Sequence, residues 1–307
     1  MIDDRPSHAF AAAIARHVVA DGSVASIVPR LHLIRSSRPT EPIQALHAPA
    51  LCLVAQGRKH VMLGREIFHY GRGQLLAVSL DAPVIGQVTE ASVTSPYLCL
   101  RLDLDLGLLG TTMDESGLDG RSNDPPRSAV TLGEATPEIV EAATRLVRLL
   151  DAPRDAAVLA RSTEREFLYR VLQSPGSGGL RAILSAGSAM QRVSKAITYL
   201  KRTYRQPFSL QAVASATGMS QSSLNQHFKT VTGLSPLQYQ KHLRLHEARR
   251  LMLNQAGDAA HAGHAVGYES PSQFSRDYRR MFGAPPLQDL TRLRSSWRAE
   301  PWLDAAQ

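Results

Sequence analysis

Short apolar runs dominate the first third of the chain, and helical periodicity dominates the remainder. The runs are rich in Val, Ile, Leu and aromatic residues and are separated by Gly or Pro: LHLIRS, LCLVA, HVMLG, REIFHY, QLLAVSL, VIGQV and YLCLRLDLD. Several short strands at this spacing predict a β-barrel or β-sandwich. Within the last run, residues 101–105 alternate charged and apolar residues, which is typical of a half-buried strand. Before the runs, residues 9–20 predict a short helix capped by Ser7.

From Pro137 onward, apolar residues recur every three or four positions. One predicted helix carries an apolar face formed by Ile139, Ala143, Leu146 and Leu150, and a second is predicted from about residue 155 to 173. Two such helices can cover a barrel or pair with a second subunit. The sequence SPGSGG at 174–179 interrupts the periodicity and predicts a linker.

The last third of the chain contains an internal repeat with a period near 50 residues. The recurring pairs are Gly218 and Gly267, Phe228 and Tyr278, Gly233 and Gly283, Pro236 and Pro286, Leu237 and Leu287, and Gln238 and Gln288. Each copy predicts a helix-turn-helix, in which Gly218 or Gly267 makes the turn and Ser220 or Ser270 caps the second helix. A single unit of this kind could be an ordinary pair of packed helices. Its duplication instead favours two helix-turn-helix units that bind nucleic acid.

A long helix is predicted between the two copies. It begins at Ser235-Pro236, where Ser235 and Gln238 match a capping box, and ends near Asn254. About 19 residues at 1.5 Å each give roughly 28 Å. This approaches the ~34 Å between successive major-groove faces on one side of B-DNA. This long helix can therefore hold the two units in adjacent segments of the major groove.

The outer faces of the two predicted second helices carry side chains suited to DNA. Arg276 can donate two hydrogen bonds to guanine, and Asn225, Gln226 and Gln273 can pair with adenine. Gln273 also lies three residues after Ser270, so a capping role for it is equally open. Short side chains at Ser222, Ser272 and Ser275 let the helices approach. Predicted phosphate contacts are Gln221, Lys229, Arg244, Arg279 and Arg280. Arg249 and Arg250, which lie on the long helix with Arg244, can also approach phosphates.

Charge is distributed unevenly along the chain. Residues 190–298 hold 16 Lys+Arg against 5 Asp+Glu, a balance of +11, whereas the whole chain carries +8. The remaining residues therefore carry a balance of −3. A cationic block beside a nearly neutral remainder favours a polyanionic partner for that block.

The residues of the second copy, AVGYESPSQFSRDYRRMFGAPP, resemble the signature of the AraC/XylS family of transcription regulators. The resemblance spans roughly residues 193–293 and implies a seven-helix DNA-binding domain with two helix-turn-helix units. The family's base-contacting positions then fall on seven residues, namely Ser222, Asn225, Gln226, Ser272, Gln273, Ser275 and Arg276. QLLAVSLDAPVIGQV and PYLCLRLDLD resemble an AraC-type sensing domain, which implies a cupin-like barrel, dimerisation through flanking helices and a small-molecule effector.

We therefore expect an α+β two-domain chain. Residues 1–174 are predicted to form the cupin-like sensing and dimerisation domain, 175–189 a linker, 190–298 the all-α DNA-binding domain, and 299–307 a tail. Expected partners are double-stranded DNA, a small-molecule effector and a second copy of the chain, with RNA polymerase as a further candidate. The N-terminus lacks the pattern of a signal peptide, and no apolar run is long enough for a membrane span, so we expect a cytoplasmic protein.

Other chemistry is less well supported by the sequence. His32, His47, His60 and His69 are scattered and do not follow the H-x-H spacing of cupin metal sites, so we expect no metal, no cofactor and no catalysis. A metal-dependent barrel enzyme with a DNA-targeting domain is the alternative. A DNA-repair protein with a similar module would need a cluster of zinc-binding cysteines, which two separated cysteines do not supply. Cys52 and Cys99 are interpreted as buried core thiols, with a thiol sensor as the sharper hypothesis.

One segment departs from the family pattern. The first helix of the second unit, DAAHAGHAVG, has few large apolar residues, with Ala262 where a branched aliphatic is usual and Gly263 where alanine is usual. Glycine inside a helix costs about 1 kcal/mol relative to alanine. We therefore predict that this helix is less stable than its counterpart, and that the second unit docks fully only on DNA.

Overall fold

The computed structural model describes residues 5–118, 128–254 and 258–296. The predicted tail lies outside these ranges. Within these ranges, ten strands and five α-helices form the first part of the molecule, and seven α-helices form the second. None of the helices within the described ranges combines the length and apolarity that a membrane crossing needs.

The strands form two antiparallel sheets. Their bounds are β1 (Gly22–Ala25), β2 (Leu31–Ser36), β3 (Ile43–His47), β4 (Ala50–Gln56), β5 (Arg58–Leu63), β6 (Glu66–Gly71), β7 (Gln74–Val78), β8 (Ala82–Glu90), β9 (Tyr97–Asp103) and β10 (Val130–Glu134). The larger sheet has the order β1-β2-β9-β4-β7-β10, and the smaller has the order β3-β8-β5-β6. We call these two sheets together the barrel, and they confirm the predicted β-rich first domain.

The larger sheet is buried on both faces. Leu51 and Leu53 on β4 point toward flanking helices, whereas the alternate residues Cys52 and Val54 point into the barrel. This explains why β4 is a continuous apolar run rather than an alternating one. The flanking helices are α1 (Arg5–His17), α2 (Leu106–Glu115), α3 (Pro137–Arg148), α4 (Pro153–Gln173) and α5 (Gly178–Leu184).

One local prediction needs correction, and one segment after the barrel is described by the structure in more detail. Helix α1 begins at Arg5, so Ser7 lies inside its first turn and is not its cap. Within the predicted linker, a 3₁₀ turn at Pro175–Ser177 leads directly into α5. The Ser177 hydroxyl is buried and lies within hydrogen-bond distance of the carbonyls of Leu172 and Ser174. A close approach between Gly176 and Gly133 of β10 holds this segment against the barrel.

The second part of the molecule consists of helices joined by tight turns. They are α6 (Ala189–Thr203), α7 (Leu210–Thr217), α8 (Gln221–Thr232), α9 (Pro236–Asn254), α10 (Ala259–Ala265), α11 (Pro271–Phe282) and α12 (Pro286–Ser296). The capping box at the start of α9 is confirmed: the Ser235 amide donates to Gln238 Oε1 at 3.0 Å, and the Gln238 amide donates to Ser235 Oγ at 3.3 Å. The long connecting helix is therefore present with the predicted ends.

The barrel and the first helix-turn-helix share one hydrophobic core. Val213, Leu224 and Phe228 belong to the same buried cluster as the inward-facing residues of the barrel. Polar contacts add to this junction, since the Ala129 amide donates to the Val231 carbonyl at 2.8 Å. In contrast, α10, α11 and the second half of α9 form a separate cluster.

Candidate DNA-binding surface

Two capped helices, α8 and α11, form the second helix of each helix-turn-helix unit. The hydroxyl of Ser220 accepts from the amide of Ser223 at 3.2 Å, and the hydroxyl of Ser270 accepts from the amide of Gln273 at 3.4 Å. Gly218, with φ of 64°, ends the first helix of the first unit in a left-handed conformation, which glycine adopts without steric cost. The predicted turns and caps are therefore present in the structure.

The two helices repeat one pattern of burial with an offset of 50 residues. Leu224 and Phe228 in α8, and Phe274 and Tyr278 in α11, are buried in their respective cores. The outer positions are exposed in both helices, namely Gln221, Ser222, Asn225, Gln226 and Lys229 in α8, and Ser272, Gln273, Ser275, Arg276, Arg279 and Arg280 in α11. All seven residues predicted to contact bases thus lie on outer faces. Their contact with DNA stays a prediction.

Gln273 has its backbone, rather than its side chain, in the helix cap. Its amide donates to Ser270 Oγ, while its side chain is exposed. The side chain therefore remains accessible to a base as well as to the Ser270 amide.

The arginines of the connecting helix α9 all make contacts within the protein. Arg244 was expected to contact phosphate, but its guanidinium donates to the carbonyls of Tyr204, Gln206 and Gly267 at 2.6, 2.8 and 2.9 Å. Burial lowers its pKa from the usual value. The structure therefore gives Arg244 a role within the protein in place of the phosphate contact.

Two neighbouring arginines of α9 are also committed elsewhere. Arg249 is buried and makes two hydrogen bonds to the carboxylate of Asp289, at 2.9 and 3.1 Å. Arg250 pairs with Glu247 at 2.8 Å and lies at the edge of a cavity facing the barrel. A helical pattern shows which residues share a face, but it does not show which neighbour covers that face.

A cavity of about 540 Å³ lies between the barrel and the second half of α9. Its apolar lining includes Val61, Leu76 and Val84 from the strands and Leu243 from α9. Arg101 of β9 and Lys59 of β5 also line it, and Arg101 is only 4% exposed. Arg101 therefore faces the interior of a strand that the alternating pattern predicted only to be half-buried.

The charged groups of the cavity are mostly cationic. Its lining holds the carboxylates of Asp81 and Glu247. Asp81 pairs with Lys201 at 2.8 Å, and Glu247 pairs with Arg250. Burial lowers the pKa of the Lys59 ammonium from its usual value, and an anion beside it would favour its charged form. An amphipathic anion would thus match both kinds of lining.

The two cysteines are neighbours on the inner face of the larger sheet. Cys52 on β4 lies opposite Arg101 on β9, and Cys99 lies opposite Val54. Both thiols are free and buried, as the core interpretation expects. Cys52 Sγ lies 3.9 Å from His47 Nε2, and contacts with Cys99 and His47 lower the pKa of Cys52. Sequence spacing gave no sign that these thiols would meet.

A second cleft, of about 430 Å³, separates the barrel from α9 and α11. Arg280 lies at its edge and pairs with Asp277 at 3.6 Å while keeping a side-chain exposure of 81%. His242 and His246 also line the cleft, and burial lowers their pKa values to about 4 and about 3. Both rings are therefore neutral at pH 7.

Family profiles match both parts of this architecture. A profile described as an AraC-type transcriptional regulator N-terminus matches residues 27–178, and a helix-turn-helix domain profile matches residues 213–292. The chain belongs to the AraC family of transcription regulators. Its membership confirms the family resemblance seen in the residues of the second repeat.

Curated relatives of this AraC-family chain are regulators as well. It is 27% identical over 171 residues to the thermoregulatory protein LcrF of Yersinia pestis, covering 55% of the chain and 62% of LcrF. It is 30% identical over 97 residues to the transcriptional activator RhaS of Escherichia fergusonii, covering 32% of the chain and 35% of RhaS. The chain thus spans about three fifths of LcrF and one third of RhaS.

Solved structures of ToxT from Vibrio cholerae share the fold. An apo form aligns with a TM-score of 0.58 at 10% identity, covering 87% of this chain and 99% of ToxT. An unsaturated fatty acid-bound form aligns with a TM-score of 0.56 at 9% identity, covering 85% and 93%. The AraC-family chain therefore has the ToxT-like two-domain arrangement, with a β-rich domain followed by a helical one.

Proposed function

We propose that this chain is a sequence-specific DNA-binding regulator of transcription. The observation that carries the proposal is the repeated face of α8 and α11, where polar and cationic side chains occupy the same exposed positions in two capped helices. Arg276 and Gln226 occupy matching places 50 residues apart. Amide and guanidinium groups at such positions are the donors that read base edges in the major groove. The residues assigned to bases and phosphates above are part of this proposal, with Arg244 withdrawn.

Selection of duplexes from a random pool by the full chain tests this proposal. We expect the enriched sequences to share two short boxes about one helical turn apart. The double variant Gln226→Ala with Arg276→Ala should lose the enrichment. Arg161→Ala, an exposed arginine on α4, is the matched control and should keep it. Enrichment no better than that of a random competitor at moderate salt contradicts the proposal.

We further propose that the cavity between barrel and α9 holds a small amphipathic effector with an anionic group. Its apolar lining suits a hydrocarbon body, and Lys59 suits a carboxylate. Arg101, whose Nε pairs with Asp103 at 2.7 Å, adds positive charge beside it. A ToxT structure that shares this fold was solved with an unsaturated fatty acid, which agrees with such a ligand. Because α9 lines the cavity, a bound effector would contact the helix that joins the two DNA-reading units.

Thermal unfolding with added ligands tests this assignment. A panel of fatty acids should raise the Tm, whereas the matching alcohols should raise it less, because only the acids pair with the buried cations. A ligand present at 100 times its Kd stabilises by about 2.7 kcal/mol. Lys59→Met should remove the difference between acid and alcohol. Lys195→Met, at an exposed position of α6, should keep it. Equal shifts for acids and alcohols would exclude an anionic requirement.

The thiol pair is a second candidate for the sensing role. The contact of Cys52 with His47, together with the lowered pKa of Cys52, favours its thiolate. A double substitution of Cys52 and Cys99 with serine should then abolish the transcriptional response to an electrophile. An unchanged dose response would leave both thiols as core residues.

Pairing of two copies and contact with RNA polymerase complete the proposal. Helix α4 exposes Val158 at 76% and Leu159 at 46%, which offers an apolar surface for a second subunit. Sedimentation equilibrium should show a dimer that Val158→Asp weakens. Catalysis is not part of the proposal, because the relatives are regulators and the described residues include no group of three candidate metal ligands.

A further inference from the structure

The two helix-turn-helix units touch where the loop after α6 meets the turn of the second unit. Gly267 of that turn has φ of 91°, and a Cβ built there would lie 2.4 Å from the carbonyl oxygen of Arg205. Tyr204, at the start of the loop, packs against both the core of the first unit and the separate core of the second. This junction therefore connects the core of the first unit with the core of the second.

Arg244 lies at the centre of this junction. Nε and one Nη donate to the carbonyls of Tyr204 and Gln206 in the loop, while the other Nη donates to the carbonyl of Gly267 in the turn. The guanidinium also lies 5.8 Å from the ring centre of Tyr268. A single side chain thus joins the connecting helix, the loop that precedes the first unit and the turn of the second unit.

The geometry of this contact requires arginine. A planar guanidinium presents several N–H groups in a fixed fork, which can reach three separate carbonyls at once. A lysine ammonium at the same position is a single point and cannot span them. Gln240, one turn earlier on α9, reaches the carbonyls of Tyr204 and Gln206 at 3.2 and 3.0 Å. It repeats the loop contacts but not the contact with the turn.

We propose that Arg244 is a positioning residue that sets the distance and angle between α8 and α11, and hence the spacing between the two base boxes of the operator. It reads no base and binds no phosphate. This inference rests on the proposed DNA binding. It deepens that function by assigning the spacing preference to a half-buried residue between the two units rather than to one on the DNA-facing surface.

The test uses the full chain and the two-box duplexes that it selects from a random pool. We expect one spacing to dominate for the unmodified chain, and insertion of one base pair between the boxes to reduce binding about tenfold. Arg244→Lys and Arg244→Gln should bind the two spacings within about threefold of each other. Base preference within each box should stay the same. Lys195→Ala, which removes one exposed charge from α6, should retain the spacing preference.

A second variant approaches the junction from the other side. Gly267→Ala keeps every charge but places a Cβ against the Arg205 carbonyl, so it should relax or shift the preferred spacing as well. Circular dichroism of each variant shows whether it is folded. If a variant of Arg244 fails to fold, the Gly267 variant still tests the junction, because it leaves the arginine side chain itself unchanged.

The remaining outcomes separate the alternatives. If the unmodified chain selects no motif, the proposed DNA binding fails, and the spacing proposal falls with it. If Arg244→Lys keeps the spacing while Arg244→Gln weakens all duplexes alike and lowers the salt slope by about one, then Arg244 contacts phosphate. That result, or a preserved spacing in both the Arg244 and Gly267 variants, overturns the positioning role.

Discussion

The first helix-turn-helix unit, α7 and α8, packs into a core that continues into the barrel, whereas the second unit, α10 and α11, packs into a core of its own. Phe228 of the first unit is buried in the same cluster as Tyr97 of the barrel. Phe274, at an equivalent depth in the second unit, belongs to the cluster that includes the second half of α9. The two units therefore present the same kind of exposed face but pack on two different hydrophobic cores.

The second unit compensates with polar and aromatic contacts of its own. Asp289 of α12 is fully buried and accepts hydrogen bonds from Arg249 and from the hydroxyl of Tyr278, the latter at 2.8 Å. The rings of Phe274, Tyr278 and Phe282 follow one another along α11 with centroid distances of 5.6 and 4.6 Å. These contacts join α9, α11 and α12 without help from the barrel.

This difference teaches that the surface presented to DNA and the core beneath it are separate properties. The first unit should follow the barrel, since the two share a core. The second unit meets the barrel at a cleft. It is therefore the unit whose position can respond to a change at α9.

The largest expected effect comes from breaking the buried ion pair of the second unit. Asp289→Ala leaves Arg249 buried without its carboxylate, which should reduce the free energy of unfolding by about 3–5 kcal/mol. Urea denaturation measures this loss. Glu247→Ala breaks the more exposed pair with Arg250 and should cost less than about 1 kcal/mol. Equal losses in the two variants would show that the Asp289 network is not what holds the second unit.

Core truncations test whether the two units unfold separately. Phe228→Ala and Phe274→Ala should each lower the free energy of unfolding by about 3–5 kcal/mol. Hydrogen exchange should show that the two variants lose protection in different parts of the molecule. Phe228→Ala should lower protection in the barrel and α8 together, since they share a core. Phe274→Ala should lower protection in α10 and α11 while the barrel keeps its own.

Hydrogen exchange of the unmodified chain compares the stability of the first helices of the two units, α7 and α10. We expect α10 to exchange faster than α7 in the free protein and to become protected when DNA is added. Equal protection of the two helices without DNA would refute the prediction that the second unit docks fully only on DNA.

Base and phosphate contacts on α11 should differ in kind. Arg276→Ala should cost about 1–3 kcal/mol of binding and relax the preference at one base pair. Arg279→Ala should weaken binding to all duplexes alike and lower the salt slope by about one unit. Competition binding at several salt concentrations distinguishes them. A loss of base preference in the Arg279 variant would reverse the two assignments.

The smallest effect concerns the glycine inside α10. Alanine at position 263 would gain up to about 1 kcal/mol of helix propensity. However, its Cβ would lie 3.0 Å from the ring of Phe274. We therefore expect Gly263→Ala to gain less than that amount in urea denaturation. A full gain of about 1 kcal/mol in the free energy of unfolding would mean that the Phe274 ring moves aside without cost. The glycine would then only destabilise the helix.

Much of the architecture could be predicted because its signals are local. The central strands are long apolar runs, and the caps at Ser220, Ser235 and Ser270 depend on residues three positions away. In contrast, three edge strands, β1, β3 and β10, escaped prediction. Most of their residues are partly buried or exposed, so they carry no strong hydrophobic pattern. Helix α2 was missed as well, because its residues continue the apolar run of β9.

The sequence by itself determined the two repeated units, the turns and caps that define them, and the outward placement of their polar side chains, since each depends on residues within a few positions. Only the tertiary structure decided which groups the side chains of Arg244, Arg249 and Arg101 contact. Each is a cation on a regular helix or strand. Arg244 contacts carbonyls and Arg249 contacts a carboxylate that are distant in the sequence. Arg101 pairs with Asp103 on its own strand, but it also lines a cavity to which the distant helix α9 contributes. The environment of a long charged side chain is set by whichever elements pack against it, and chain order does not encode those elements locally.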